Sequence, residues 1–441
     1  MPANHESGLK RNEQLQIEKH CKHEIKVAEE TQNTKRYLLQ YDERSQLLSH
    51  PPQIGRCEVR KLVTPRCLHM AQLIFFLKKN EIIQLQTLDT YPLPQLYAMN
   101  VSHHPTPSPA LQRALNSALP YSINLVYRTQ HRNRTAHANV LVTFPPDTPS
   151  PPKCWAAAYF DRSMRPETEM WIFAAGEMPD HTAGEGFCAE CRRAVMVLLD
   201  YMGTLETPPM REDNMHALDL AYQHEKECPG PPDGEYPPSP GVYMRHLLLP
   251  KVVLIGACHE QIVQIFREEG LVRREFPGAN MELNKFIFKL SNLPATRELP
   301  RGLRWGQLKE EQDIETVKAR TSIPRSTKTL LSLENVGVFE DESNKPIGWT
   351  FLGIDGSLTT LHTEPEHRGK GIAKAVGAKI MREYASGLAV DDDGNAWSHA
   401  DVYAGNIQSE SVCSSLGGKA LWKDYWVRID LDRVESVANG V

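Results

Sequence analysis

The chain has no long apolar run. A membrane-spanning helix needs about 20 predominantly apolar residues, and the longest candidate, residues 73–77, is cut off by Lys78 and Lys79. The first residues, MPANHESGLKRNEQ, lack the apolar segment of a secretory signal. Nine cysteines among 441 residues, odd in number and irregular in spacing, exclude a disulfide scaffold and suit free thiols in a reducing compartment. A charge excess of one sign is missing too. Lys+Arg 50 against Asp+Glu 55 leaves a formal net charge of -5, so there is no global basic field to attract nucleic acid. These absences point to a soluble cytoplasmic protein, with a mitochondrial address left open and neither a membrane nor a nucleic acid as partner.

With 40% hydrophobic and 24% charged residues, the chain can bury a core, and its length suggests two or three domains. Residues 1–90 are polar or ambiguous and are expected to be a poorly ordered extension. Globular composition starts near Tyr91. Runs at 123–127, 138–144, 155–160 and 170–174 read as strands separated by turn chemistry, and 187–202 reads as a helix. A Pro/Gly loop, CPGPPDGEYPPSPG, covers 228–241. Beyond it, 252–256 reads as a strand, 260–269 as a helix and 286–290 as a strand. The last third is the most regular. It reads as helices at 306–320 and 326–333, then strands at 336–339, 347–352 and 358–363. A helix through Ile372, Val376 and Ile380 follows, then a strand at 397–403, a helix at 408–415 and a strand at 421–429.

The informative stretch is TEPEHRGKGIAKAVGAKIM, residues 363–381. A strand runs into Pro365, which stops pairing, and Arg368, Gly369, Lys370, Gly371, Ile372 and Ala373 lead into a helix. Glycines let the backbone curl and expose successive N–H groups at the positive end of the helix dipole, which makes an anion site. Neither the Walker pattern nor the dinucleotide pattern is present.

The pattern that is present, R-x-x-G-x-A from Arg368 through Gly371 to Ala373, resembles the pyrophosphate-cradling signature of the GNAT acyltransferase superfamily. Downstream, Asn406, Ser409, Leu416 and Gly417 are similar to that superfamily's N-x-x-[AS]-x-x-x-Y-x-x-L-G-F, with Cys413 where the Tyr would stand. The segments 118–145, 345–371 and 397–406 look like the glycine N-acyltransferase family. The resemblance implies an α/β GNAT fold, a mixed central sheet with helices on both faces, over 296–436. It also implies a degenerate GNAT-like half over 91–295 that shapes the acceptor pocket. The implied donor is acetyl-CoA or another acyl-CoA. The implied acceptor is the amine of a small molecule or amino acid, with direct transfer between them. Two rivals remain open: a protein or peptide amine as acceptor, and a non-catalytic CoA-binding module.

The resemblance also implies roles. Backbone groups of Leu361, His362 and Thr363 would meet the pantetheine and the thioester carbonyl. Amides from Arg368 to Ala373 would hold the pyrophosphate, and Asn406 would contact the pantetheine arm. Cys413 would be the acid that protonates the leaving thiolate. The family's basic Glu falls near Ser357, which cannot replace a carboxylate. His362 is therefore the candidate base, because imidazole exchanges protons near neutrality. Glu364 is expected to point to solvent, and Asp355 in its turn could reach inward. Cys188 and Cys191 form a C-x-x-C that His224 and Cys228 could complete as a zinc site. The pair lies on a helix without a second C-x-x-C, so no metal is assigned.

Overall fold

The computed structural model describes residues 99–434 apart from 183–186, 231–233, 238, 297 and 322–324. The polar extension expected over 1–90 lies outside them. Among the described residues, no helix is long and apolar enough to cross a membrane. The elements fall into two runs with the same plan. The first holds β1 (Ser102–His103), α1 (Pro109–Ser117), α2 (Ile123–Gln130), β2 (Asn139–Val142), β3 (Ala156–Phe160), β4 (Met170–Ala174), α3 (Ala189–Thr204), α4 (His216–Glu227), β5 (Val252–His259), α5 (Glu260–Glu268) and β6 (Leu283–Lys289). The second holds β7 (Leu303–Gly306), α6 (Glu311–Ala319), α7 (Thr327–Ser332), β8 (Asn335–Glu340), β9 (Pro346–Leu352), β10 (Leu358–Thr363), α8 (Ile372–Ile380), β11 (Trp397–Tyr403), α9 (Ile407–Ser415) and β12 (Lys419–Asp430).

Each run has two short helices, an antiparallel meander, a crossover helix and a parallel strand. In the first, β2, β3 and β4 pair antiparallel, α3 follows, and β5 returns parallel to β4 at Met170 and Ile255. In the second, β8, β9 and β10 pair antiparallel, α8 follows, and β11 touches β10 at a parallel bridge between Ser357 and His399. The last strands of the two runs are exchanged. Strand β6 pairs with β11, while β12 pairs with both β5 and β6, so one sheet reads β1-β2-β3-β4-β5-β12-β6-β11 and the other β10-β9-β8-β7. Chain order divides near residue 295, but the hydrogen-bonded sheet does not.

Helices cover both faces. On one face, α1, α2, α6 and α7 share a core that runs from Leu111, Val126 and Trp171 to Ile314, Leu330 and Trp349. On the other, Ala194, Val195 and Leu198 of α3 and Ile262 and Phe266 of α5 back the first run, while Ile372 and Val376 of α8 and Cys413 of α9 back the second.

Two assignments read from sequence are corrected. Residues 123–127 form the start of α2, not a strand. Six residues of this helix are buried, the polar Arg128 and Thr129 among them, and a short apolar run carries no periodicity to separate helix from strand. The helix expected over 306–320 begins only at Glu311, and 303–306 is strand β7, paired with β8 from Leu303 opposite Glu340 to Gly306 opposite Gly337.

Candidate active site

Strands β10 and β11 run parallel but meet only at Ser357 and His399. Beyond that bridge the two strands belong to different sheets and are not paired, which opens a wedge between them. Against β9, the register of β10 shifts between Thr359 and His362, and Thr360 has φ 55°. An extra residue of this kind bends a strand and re-aims its backbone groups. At the open end of the wedge lies the glycine turn. Gly369 (φ 75°) and Gly371 (φ 81°) are left-handed, and a Cβ on either would meet nothing within 4 Å. Glycine is needed there for backbone conformation, not for space. Gly371 caps α8 without a side chain, and Arg368, Gly369, Lys370 and Gly371 are exposed at the start of that helix. The Arg368 Nε donates to the Thr363 carbonyl at 3.0 Å and fastens the two sides of the turn.

Asn406 lies across the wedge as the N-cap of α9, its Oδ1 accepting from the Ser409 N–H at 3.2 Å. Gly417 (φ 86°) ends that helix in the left-handed conformation glycine favours there. The Asn, Ser and Gly of the downstream signature are thus cap residues that set where α9 starts and stops.

His362 sits opposite Trp349 and stacks on it, with ring centroids 4.7 Å apart. It therefore faces the α6/α7 side, whereas the neighbouring Gly348 packs toward Ile372 of α8. Its Nε2 is 3.5 Å from Glu364 Oε2, and the other oxygen of Glu364 accepts from Arg320 Nε at 3.0 Å. Glu364 was expected to point to solvent. Instead its side chain is 14% exposed, folded between the imidazole and the guanidinium. Cys413 is buried among the apolar side chains beneath α8, and burial, with Asp401 and Glu410 nearby, pushes its thiol up to about 12.

At the closed end of the wedge lies a buried polar network that the sequence reading largely missed. Asp355 does reach inward. Its carboxylate accepts from Ser357 Oγ at 2.7 Å, from Asn124 Nδ2 at 3.2 Å and from Trp171 Nε1 at 3.2 Å. Burial alone would raise this carboxyl, but His399, the Ser357 donors and Lys285 outweigh it and hold it at about 2. His399 donates from Nε2 to the Asp355 carbonyl at 2.8 Å and is pulled down to about 4 by burial and the Lys285 charge. Its Nδ1 faces Asp401 Oδ2 at 3.8 Å, and neither atom has a hydrogen-bond partner among the described residues. Lys285, fully buried on β6, reaches Asp401 of β11 at 2.6 Å, Asp424 of β12 at 2.9 Å and Asn124 of α2 at 2.8 Å. Ionisable residues inside otherwise apolar strands (NKFIF, HADV, KDYW) were the available signal.

Among the described residues, the first run has no counterpart of this open wedge. Tyr121, Glu177, His259, Trp422 and Asp424 fill the space between β4 and β5 and leave a cavity of ≈ 10 Å³, about the room one water needs. Helix α2 also roofs the closed end of the second wedge. Tyr127 donates to the Trp397 carbonyl at 2.7 Å, and a Cβ on Gly356 would stand 2.2 Å from its ring.

The first run matches the family model described as the acyl-CoA N-acyltransferase verG N-terminal domain, over residues 98–286. The second matches the model of the FR47-like protein, over residues 335–427. No curated protein matches the chain. Among solved structures, the chain is similar to a Drosophila protein at 12% identity, covering 75% of this chain and 99% of that one, with TM-score 0.46. It is also similar to a tandem GNAT protein from the clavulanic acid biosynthesis pathway at 8% identity, covering 75% and 99%, with TM-score 0.37. A GCN5-related N-acetyltransferase from Sphaerobacter thermophilus aligns at 11% identity, covering 75% and 96%, with TM-score 0.36. With its two halves matched in sequence by an acyl-CoA N-acyltransferase N-terminal domain and an FR47-like domain, the chain belongs to the GNAT acyltransferase superfamily.

Proposed function

We propose that the chain transfers an acetyl or other acyl group from acyl-CoA to the amine of a small molecule or amino acid. The observation that carries this reading is the wedge between β10 and β11, open at the end where Gly369 and Gly371 bare the N-terminus of α8. Amides from Arg368 to Ala373 bind the pyrophosphate, where backbone N–H groups and the helix dipole favour an anion. Leu361, His362 and Thr363 offer backbone groups to the pantetheine and the thioester carbonyl, and Asn406 contacts the arm.

The amine nitrogen attacks the thioester carbon, the C–S bond breaks, and the amine proton passes to the His362 imidazole. Glu364, itself held by Arg320, orients that imidazole. The leaving thiolate must then gain a proton. From a thiol at about 12 to one near 8.5, this transfer runs uphill by about 5 kcal/mol. The reading therefore keeps Cys413 as an apolar wall and supplies the proton from solvent at the open end.

The roof formed by Asn124, Tyr127 and Trp171 favours a small acceptor over a protein one. The uncompensated His399 Nδ1 and Asp401 Oδ2 are suited to a polar guest. A non-catalytic CoA-binding module is the second reading, favoured by Ser357 and Cys413 standing where the resembling family has Glu and Tyr.

Titration of the purified protein with acetyl-CoA and a bulkier acyl-CoA tests the shared premise. Saturable binding is expected, lost in Gly371→Asp, which strains the turn and puts a carboxylate against the pyrophosphate. A folded protein that binds neither donor refutes both readings. Binding without turnover over a broad amine panel leaves only the module.

A further inference from the structure

In the second run, the link from β10 to its crossover helix is the glycine turn. The first run has the same link, from β4 to α3. What stands at the start of α3 is cysteine. Cys188 is the N-cap, its Sγ accepting from the Cys191 N–H at 3.4 Å. Two more donors close on this C-x-x-C. His181 comes from the segment after β4, and Cys154 comes from the chain just before β3. Cys154 Sγ and Cys188 Sγ are 3.6 Å apart, and His181 Nε2 is 3.5, 3.5 and 3.1 Å from the sulfurs of Cys154, Cys188 and Cys191. All four atoms lie within 4.8 Å of one another.

Zinc bonds of about 2.3 Å to sulfur and about 2.0 Å to nitrogen put tetrahedral ligands about 3.8 Å (S to S) and about 3.5 Å (S to N) apart. The cluster already has that size and that donor set. A disulfide does not account for it, because bonded sulfurs are about 2.05 Å apart and all three cysteines are free. An iron–sulfur cluster would hold its ligands around several metal atoms, farther apart than one tetrahedron allows. Packing is tight around the site. A Cβ on Gly176 would stand 3.0 Å from the Cys191 Cβ.

The geometry points to a structural zinc site made of Cys154, His181, Cys188 and Cys191. Three thiolates and a neutral imidazole close the coordination shell and leave no position for substrate, which separates a structural from a catalytic zinc. The net charge of minus one would be met by the Cys191 N–H and the positive end of α3. The ion ties the approach to β3, the exit of β4 and the start of α3 together. It does so at the position where the other half exposes its anion turn. His224 and Cys228, the partners the sequence suggested, are not in the cluster. They sit at the end of α4, where Arg245 Nη1 donates to His224 Nδ1 at 3.2 Å and to the Cys228 carbonyl at 2.6 Å.

The test is elemental analysis of the full chain purified without chelator. One zinc per chain is expected, retained in Cys228→Ser and lost in Cys154→Ser and Cys191→Ser. As a control that does not depend on the folding of the latter variants, the wild-type protein is also treated with a mercurial in the presence of a zinc-sensing dye. Release of one zinc, and the visible absorption of tetrahedral thiolate-bound cobalt after exchange with Co²⁺ alone, are the expected results. Folded wild-type protein that holds no zinc and shows no such cobalt spectrum overturns the site. So does metal lost in Cys228→Ser and kept in Cys154→Ser.

Discussion

Replacing Lys285 by Met keeps the volume and removes the charge at the centre of the strand exchange. The lysine is fully buried, 2.6 Å from Asp401 and 2.9 Å from Asp424. Its stem lies on β6, and its partners lie on β11 and β12. Without it, two buried carboxylate side chains are left with no cation between them. Breaking a buried pair by removing one partner costs about 3–5 kcal/mol, because the remaining charge is uncompensated. The cost should depend on pH. Burial already raises the Asp424 carboxyl to about 7, against the pull of Lys285. A carboxyl raised in the fold holds its proton more tightly than the unfolded chain does. Its contribution is therefore present at low pH and lost as pH climbs from the unfolded value, about 3.9, through the folded one. Loss of Lys285 raises it further, so the penalty is smallest near about pH 5, where the carboxyl is protonated in both forms, and grows as pH rises through neutrality toward about pH 9. Urea unfolding of wild type and Lys285→Met at both pH values reads this directly. A second change, Asp424→Asn, should recover part of the loss near neutrality. A loss below about 1 kcal/mol near neutrality, or one of equal size at both pH values, would refute the account and mean that water reaches these carboxylates.

Changing His362 to Ala should lower kcat by about a hundredfold or more, the range for a positioned base. Acyl-CoA binding should stay intact, and the pH–rate profile should change shape. An unaltered profile would remove the base role. Cys413→Ala should leave kcat unchanged and cost about 1 kcal/mol of stability, as a small loss of core packing does. A collapse of turnover with binding preserved would restore the thiol as the acid.

The structure is a mixed α/β GNAT fold preceded by a GNAT-like half, and much of that was legible locally. The Gly369–Gly371 turn is a matter of backbone conformation, which glycine dictates wherever it stands. Asn406, Ser409 and Gly417 announce the two ends of α9 because caps bond within a few residues. Apolar, β-branched and aromatic runs between turn signals marked β8 to β11, whereas β7 was not read, and only its last residue, Gly306, fell at the start of an expected helix. Helix α2 was misread because its burial on nearly all sides erased the pattern that sequence reading depends on. What only the tertiary structure decided involves partners far apart in the chain. The exchange of β6 and β12 brings Lys285 to Asp401 and Asp424. The roof of α2 brings Asn124, and β4 brings Trp171, to Asp355. The meeting of two loops brings Cys154 and His181 to Cys188 and Cys191. A charge within an apolar strand shows in the sequence that something must compensate it, but its partner is chosen by which strands become neighbours, and long-range pairing alone sets that.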